Sequence, residues 1–153
     1  MLPAWLVIPT IAIAVAFALN RLSQKDIRWF FQLRRPRWLT FEGLIPFIWI
    51  AILLCGMGSA ILAWQASPSW TLMGGYLLVE VAIMAYTPMM CKLKSLTVGT
   101  IIGGLGFVLG CILAVLVARV SGLAALLLLP YLLWSPIGTF VTWQMIGLNP
   151  GKA

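Results

Sequence analysis

Five long apolar stretches divide this chain, and short polar segments separate them. They run from about Leu2 to Asn20, Leu44 to Gln65, Trp70 to Cys91, Leu96 to Ala118 and Leu123 to Ile146. Each approaches the roughly 20 residues that a helix needs to cross a bilayer. A membrane β-barrel would show segments of about ten residues alternating in polarity, and these runs do not alternate. The pattern predicts an all-α membrane protein, a five-transmembrane-helix bundle, with residues 1–153 forming a single membrane domain. Ala16-Phe17-Ala18 looks like a signal-peptide cleavage site, but the cations follow the first apolar run instead of preceding it. The first run is therefore expected to be a retained span.

Composition sharpens this picture. The chain is 63% hydrophobic and 8% charged, against about 25% charged residues in a soluble domain, and its mean hydropathy is +1.08. So few charges cannot cover a water-facing surface, which excludes a soluble enzyme and a disordered chain. There is no His, which removes His-based triads, His-ligated zinc and proximal-His haem. Cys55, Cys91 and Cys111 are far apart with no CxxC spacing, so they read as small packing residues. No metal site and no catalytic residue is expected.

The net charge of +7 raises the question of an anionic partner, and the placement of the bases answers it. Arg21, Lys25, Arg28, Arg34, Arg35 and Arg37 lie in the first loop, Lys92 and Lys94 in the third, and Lys152 in the tail. Five spans put these segments on one side, leaving only Arg119 on the other. The positive-inside rule makes the first loop, third loop and C-terminus cytoplasmic and the N-terminus external. The lipid bilayer is thus the expected partner, and nucleic acid is not. The first loop interleaves bases with Trp29, Phe30 and Phe31, which suits a segment lying among lipid headgroups or a lid over a cavity between helices.

Few residues inside the spans carry chemistry. Glu80 is the only acid there, and an intramembrane carboxylate is costly and normally faces the bundle interior. Its neighbours in sequence are apolar, so any partner must come from another helix; Glu80 reads either as a neutral acid hydrogen-bonded to a helix backbone or a hydroxyl, or as a polar contact to a ligand or a proton carrier. Trp5, Trp64 and Trp70 fall near span ends, as interfacial aromatics do. Trp49 and Trp134 lie within spans, where they either pack or line a pocket. Gly99–Gly103 and Gly106–Gly110 are small-xxx-small spacings in the fourth span. They admit close approach of a helix from the same bundle or from a second protomer. Pro46, Pro88, Pro130 and Pro136 interrupt spans, and such breaks are tolerated where they are buried or line a cavity.

The string Leu129-Pro130-Tyr131-Leu132-Leu133-Trp134 is followed by Asn149, fifteen residues past the Trp. The first loop and second span read Trp29, Leu33, Arg35-Pro36, Trp38, Pro46 and Trp49. Together these resemble the translocator protein family, also called tryptophan-rich sensory proteins (TspO/MBR). The resemblance implies a five-helix bundle, often dimeric, that binds tetrapyrroles such as porphyrin, haem or bilin beneath the first loop. It has no obligatory cofactor and no expected turnover. Carried over by position, the ligand-binding residues would be Trp38, Trp49, Glu80, Met84, Thr87, Tyr131, Trp134, Gly138 and Phe140. Arg34, Arg35 and Arg37 would contact propionates.

The chain departs from the family pattern in several places. Thr40-Phe41 replaces the usual double Pro, and Gly43 replaces an aromatic. The third-span Gln-x-x-x-Asn-x-x-Trp pattern appears as Glu80, Met84 and Thr87. Trp143 is not followed by a base as a cholesterol-recognition pattern requires, and such patterns are weak. Without His, a metal-free tetrapyrrole or bilin fits better than ligated haem. Two other readings stand beside the receptor. One is a small proton-coupled transporter using Glu80, which the odd span number and lack of an internal repeat disfavour. The other is an assembly protein docking through the glycines.

Overall fold

A computed structural model describes residues 2–153, and they form an all-helical bundle. The helices are α1 (Ala4–Leu19), α2 (Gln24–Gln32), α3 (Ile45–Ala66), α4 (Trp70–Leu93), α5 (Leu96–Ala118), α6 (Gly122–Leu126) and α7 (Leu129–Leu148). A 3-10 turn at Glu42–Leu44 leads into α3. Helices α3, α4 and α5, and the pair α6–α7, are long and apolar enough to cross a membrane. Helix α1 is also apolar, but at 16 residues it is about 24 Å long, short of the ~30 Å hydrocarbon core. It brings the span count to five only together with α2, from which it is bent by 84°.

The caps explain where the helices begin. Ser69, Ser95 and Ser121 each accept a hydrogen bond from the backbone two or three residues into α4, α5 and α6. Each satisfies a backbone N–H that would otherwise be orphaned at a helix start. Ser23 and Asp26 form a reciprocal capping box at α2. The fifth apolar run, expected to be one helix, is broken into α6 and α7 at Leu127–Leu128. Pro130 in the first turn of α7 lacks the N–H that would continue the ladder from α6.

Around the bundle, α1 packs on α3 and α4, α4 on α5, α5 on α7, and α7 returns to α3; α6 wedges between α3 and α5. The α5 glycines serve contacts within this bundle. A Cβ on Gly99 would strike the Met90 side chain, and one on Gly106 or Gly110 would strike Tyr131 of α7. This settles the choice posed by the small-residue spacing: the close approach is to α4 and α7 of the same chain. One polar knot is buried among α3, α4 and α6. Ser59, with no exposed surface, donates to the Ala124 carbonyl at 2.6 Å and accepts from the Tyr76 hydroxyl at 2.7 Å.

The three basic segments meet at one end. Lys94 pairs with Asp26 at 3.3 Å, and the Leu96 amide donates to the Lys152 carbonyl at 3.0 Å. Lys94 and Lys152 both stand over the Trp29 ring. Trp29 is therefore a buried member of a cluster with Leu33, Leu39, Met90, Cys91 and Met145, where a headgroup position was expected. Phe31, two positions on, is the exposed aromatic of this helix.

Candidate functional site

A cavity of about 250 Å³ lies beneath the first loop, between that loop and helices α3, α4, α5 and α7. Trp49 of α3, Thr87 and Tyr86 of α4, and Tyr131, Trp134 and Gly138 of α7 line it, with Arg35 at its loop end. Proline-started helices set two of these walls. Pro46 opens α3 one turn before Trp49, and Pro130 opens α7 one turn before Trp134. A Pro in the first helical turn costs nothing in hydrogen bonds and presets the helical φ. Gly103 faces Thr139 and Gly138 faces the Trp134 indole, so both glycines make room on the α5–α7 side.

Arg35 is held in one pose by four contacts. Its Nε pairs with Glu42 at 2.8 Å. Its Nη1 donates to the Leu33 carbonyl at 2.7 Å and more weakly to that of Phe31, and its guanidinium stacks 4.8 Å from the Phe30 ring centre. Nη2 is left buried without a hydrogen-bond partner among the described residues. Two more polar atoms of the lining share that condition, Trp134 Nε1 and Thr139 Oγ1. Other lining hydroxyls are satisfied: Tyr86 hydrogen-bonds to Thr142, which donates onward to the Gly138 carbonyl at 3.1 Å. An unpaired buried polar group costs about 1–3 kcal/mol, so the three together hold a few kcal/mol that a ligand with suitable acceptors would recover.

The structure does not bring every expected residue to this cavity. Trp38 is 43% exposed and Phe140 47% exposed, and both stand outside it. Their rings lie 6.3 Å apart, and Trp38 Nε1 donates to Gln144 at 2.7 Å. They belong to an aromatic row, Trp143–Phe140–Trp38–Phe41–Trp134, that closes the seam between the first loop and α7. Glu80 and Met84 are also absent from the lining. Glu80 instead faces a crevice between α1, α3 and α4, because it lies nearly two turns before Thr87. Arg34 and Arg37 are exposed. Arg34 is used through its backbone: its amide donates to Asn149 Oδ1 at 2.7 Å, and Asn149 Nδ2 donates back to its carbonyl at 2.9 Å.

Leu39, Glu42, Tyr86, Met90 and Thr139 line the cavity without having been singled out in the sequence, and Phe30, read there as a headgroup or lid residue, lines it too. Glu42 had a usable signal, since it is one of only two acids in a loop crowded with arginines. Leu39 is an ordinary loop residue, and Tyr86, Met90 and Thr139 are ordinary residues of apolar helices, so only the packing reveals them.

Residues 5–148 match the sequence profile of the TspO/MBR family. The chain belongs to the TspO/MBR family. It is 28% identical over 147 residues to the tryptophan-rich protein TspO of Chlorobaculum tepidum, covering 92% of each chain. It is 27% identical over 146 residues to the uncharacterized membrane protein YtaB of Bacillus subtilis, covering 91% of this chain and 92% of that one. Membership of TspO/MBR supports a membrane receptor or transport-type function, and the apolar helices set it in a lipid bilayer. The fold accords with this reading, since the residues that carried the resemblance occupy structural positions: Pro46 and Pro130 start spans, and Asn149 locks the first loop to α7.

Proposed function

We propose that this TspO/MBR protein is a membrane receptor for a planar, hydrophobic, acid-bearing ligand, with a tetrapyrrole as the leading candidate. The observation that carries the reading is that Arg35, Trp134 and Thr139, each with a buried polar atom unpaired among the described residues, all line one largely apolar cavity. A fixed guanidinium suits a carboxylate, and pairs of this kind are among the stronger polar contacts. The Trp49 and Trp134 indoles offer flat faces for an aromatic ring. Of the three candidate arginines Arg35 lines the cavity, which supports it as the propionate contact.

At about 250 Å³ the cavity is slightly below the usual range of about 300–1,000 Å³ for small-molecule sites. A whole macrocycle enters when the first-loop segment carrying Trp38 and Leu39 lifts from α7, and Trp38 then acts as a hinged cover. The end of the bundle that gathers nine of the ten bases faces the cytoplasm by the positive-inside rule, so the ligand arrives from that side.

The test is a titration of the purified protein with protoporphyrin, haem, a bilin and a small planar acid such as an indole carboxylate, followed by absorbance and Trp quenching. Saturable binding of a tetrapyrrole, weakened about tenfold in Arg35→Gln as expected for loss of one charge-assisted contact, supports the reading. Binding of the small acid alone means that the loop does not lift and the ligand is smaller. Saturable binding of none of them overturns it.

A further inference from the structure

A second space, of about 760 Å³, lies between α1, α3 and α4. Helix α1 covers it without burying any of its own residues, so the crevice is bounded on one side by a loosely seated helix in contact with lipid. The lining is apolar along most of its length, and among the described residues no Lys or Arg belongs to it. Its titratable side chains among the described residues are Tyr76, Glu80 and Tyr131. The Tyr76 hydroxyl is committed to Ser59, and Ser59 to the Ala124 carbonyl. Glu80 is different: its Oε1 is buried and has no hydrogen-bond partner among the described residues.

A lone acceptor in an apolar crevice calls for a donor, and the nearest bases lie at the ends of the bundle. An occupant of the crevice can bring that donor, and a membrane-dissolved amphiphile has both the apolar body and the polar head to do so. The crevice shares the Ile83 and Tyr131 side chains with the cavity beneath the first loop, yet the two spaces have opposite polar character. One presents the Arg35 guanidinium and the other the Glu80 carboxyl.

We propose that the crevice between α1, α3 and α4 is a second ligand site, which takes a lipophilic amine from the bilayer and sets its ammonium against Glu80. The apolar body runs along α4 towards the Trp64–Trp70 pair, whose rings meet edge to face at 5.2 Å. Glu80 and Trp70 are ten residues apart on one helix, which is about 15 Å at the α-helical rise, the reach of an extended dodecyl chain. The inference is independent of what binds beneath the first loop.

The experiment uses the full chain in neutral phosphatidylcholine nanodiscs and two probes, ω-bromododecylamine and ω-bromododecanol. Their bromine quenches nearby Trp, and the amine is protonated at neutral pH, as a Lys side chain is. We expect saturable quenching by the amine at about tenfold lower concentration than by the alcohol, the size of one charge-assisted contact. Glu80→Gln should bring the amine to the level of the alcohol while the circular dichroism and elution volume stay unchanged. Equal quenching by the two probes in the wild-type protein overturns the proposal without need of a variant, and leaves the crevice as a space for lipid tails. So does an amine response that survives Glu80→Gln.

Discussion

Tyr131 is the ring on which both cavities turn, and two α5 glycines hold it in place. A Cβ at Gly110 would lie 2.7 Å from Tyr131 Cε1 and 3.1 Å from Cδ1, and one at Gly106 would lie 2.7 Å from its hydroxyl. The ring is 6% exposed and gripped at two points, so it has no easy way to swing aside. Gly110→Ala therefore overpacks the α5–α7 contact, which costs about 1–3 kcal/mol. Helix propensity works the other way, since Ala is better than Gly by about 0.8–1 kcal/mol inside a helix. Gly104→Ala isolates that second effect, because a Cβ there meets nothing within 4 Å. Relative to Gly104→Ala, Gly110→Ala should be less stable by about 1–3 kcal/mol, which is roughly 2–12 °C in Tm for a chain of this size. The assay is thermal unfolding of the two variants in the same detergent, followed by far-ultraviolet circular dichroism. Equal Tm values, or a more stable Gly110→Ala, would refute the claim that α7 sits directly on these glycines.

Other outcomes follow from the loop end of the bundle. Asn149→Ala removes three hydrogen bonds, two to the Arg34 backbone and one to the Met145 carbonyl. It should cost about 1–3 kcal/mol and be read as faster hydrogen exchange at the Arg34 amide and earlier proteolysis of the first loop. Asp26 gives a pH dependence. Hydrogen bonds from the Ser23 backbone and hydroxyl, with help from Lys94, hold its carboxyl below its ordinary value of 3.8. Because the folded-state value is the lower one, its contribution is complete above 3.8 and is lost as pH falls through the folded value. Order in α2, followed by Trp29 fluorescence, should decline in that acid range in the wild type. In Asp26→Asn that step should be absent.

Much of the fold was legible because lipid leaves helices little freedom. Every backbone polar group must be satisfied internally, so a long apolar run is already a helix, and the fourth run, Leu96 to Ala118, coincides with α5. The break between α6 and α7 was half visible, in Pro130, but its position depends on how α6 wedges against α3. The first loop was harder. Its interleaved bases and aromatics announce an interface, yet Trp29 turns inward because Lys94 and Lys152 cover its ring, and both come from distant parts of the sequence. Within the site, Trp49 and Trp134 stand out in the sequence, being large and rare inside spans. Thr139 and Tyr86 do not, since a hydroxyl in an apolar helix gives no sign of which neighbour it faces. Glu80 was conspicuous as a charge, but it shares a face of α4 with Thr87 and lies about 10 Å from it along the helix, at the level where α1 covers α4.

The proposed function puts a tetrapyrrole between the Trp49 and Trp134 indoles beneath the first loop. Equilibrium titration with protoporphyrin, wild type against Trp49→Phe/Trp134→Phe, is its decisive test. Saturable binding by absorbance is expected in the wild type, with an affinity at least about tenfold lower in the double variant, which loses the Trp134 N–H contact and keeps only the smaller Phe ring at each stacking position. An unchanged affinity in a correctly folded double variant would contradict it.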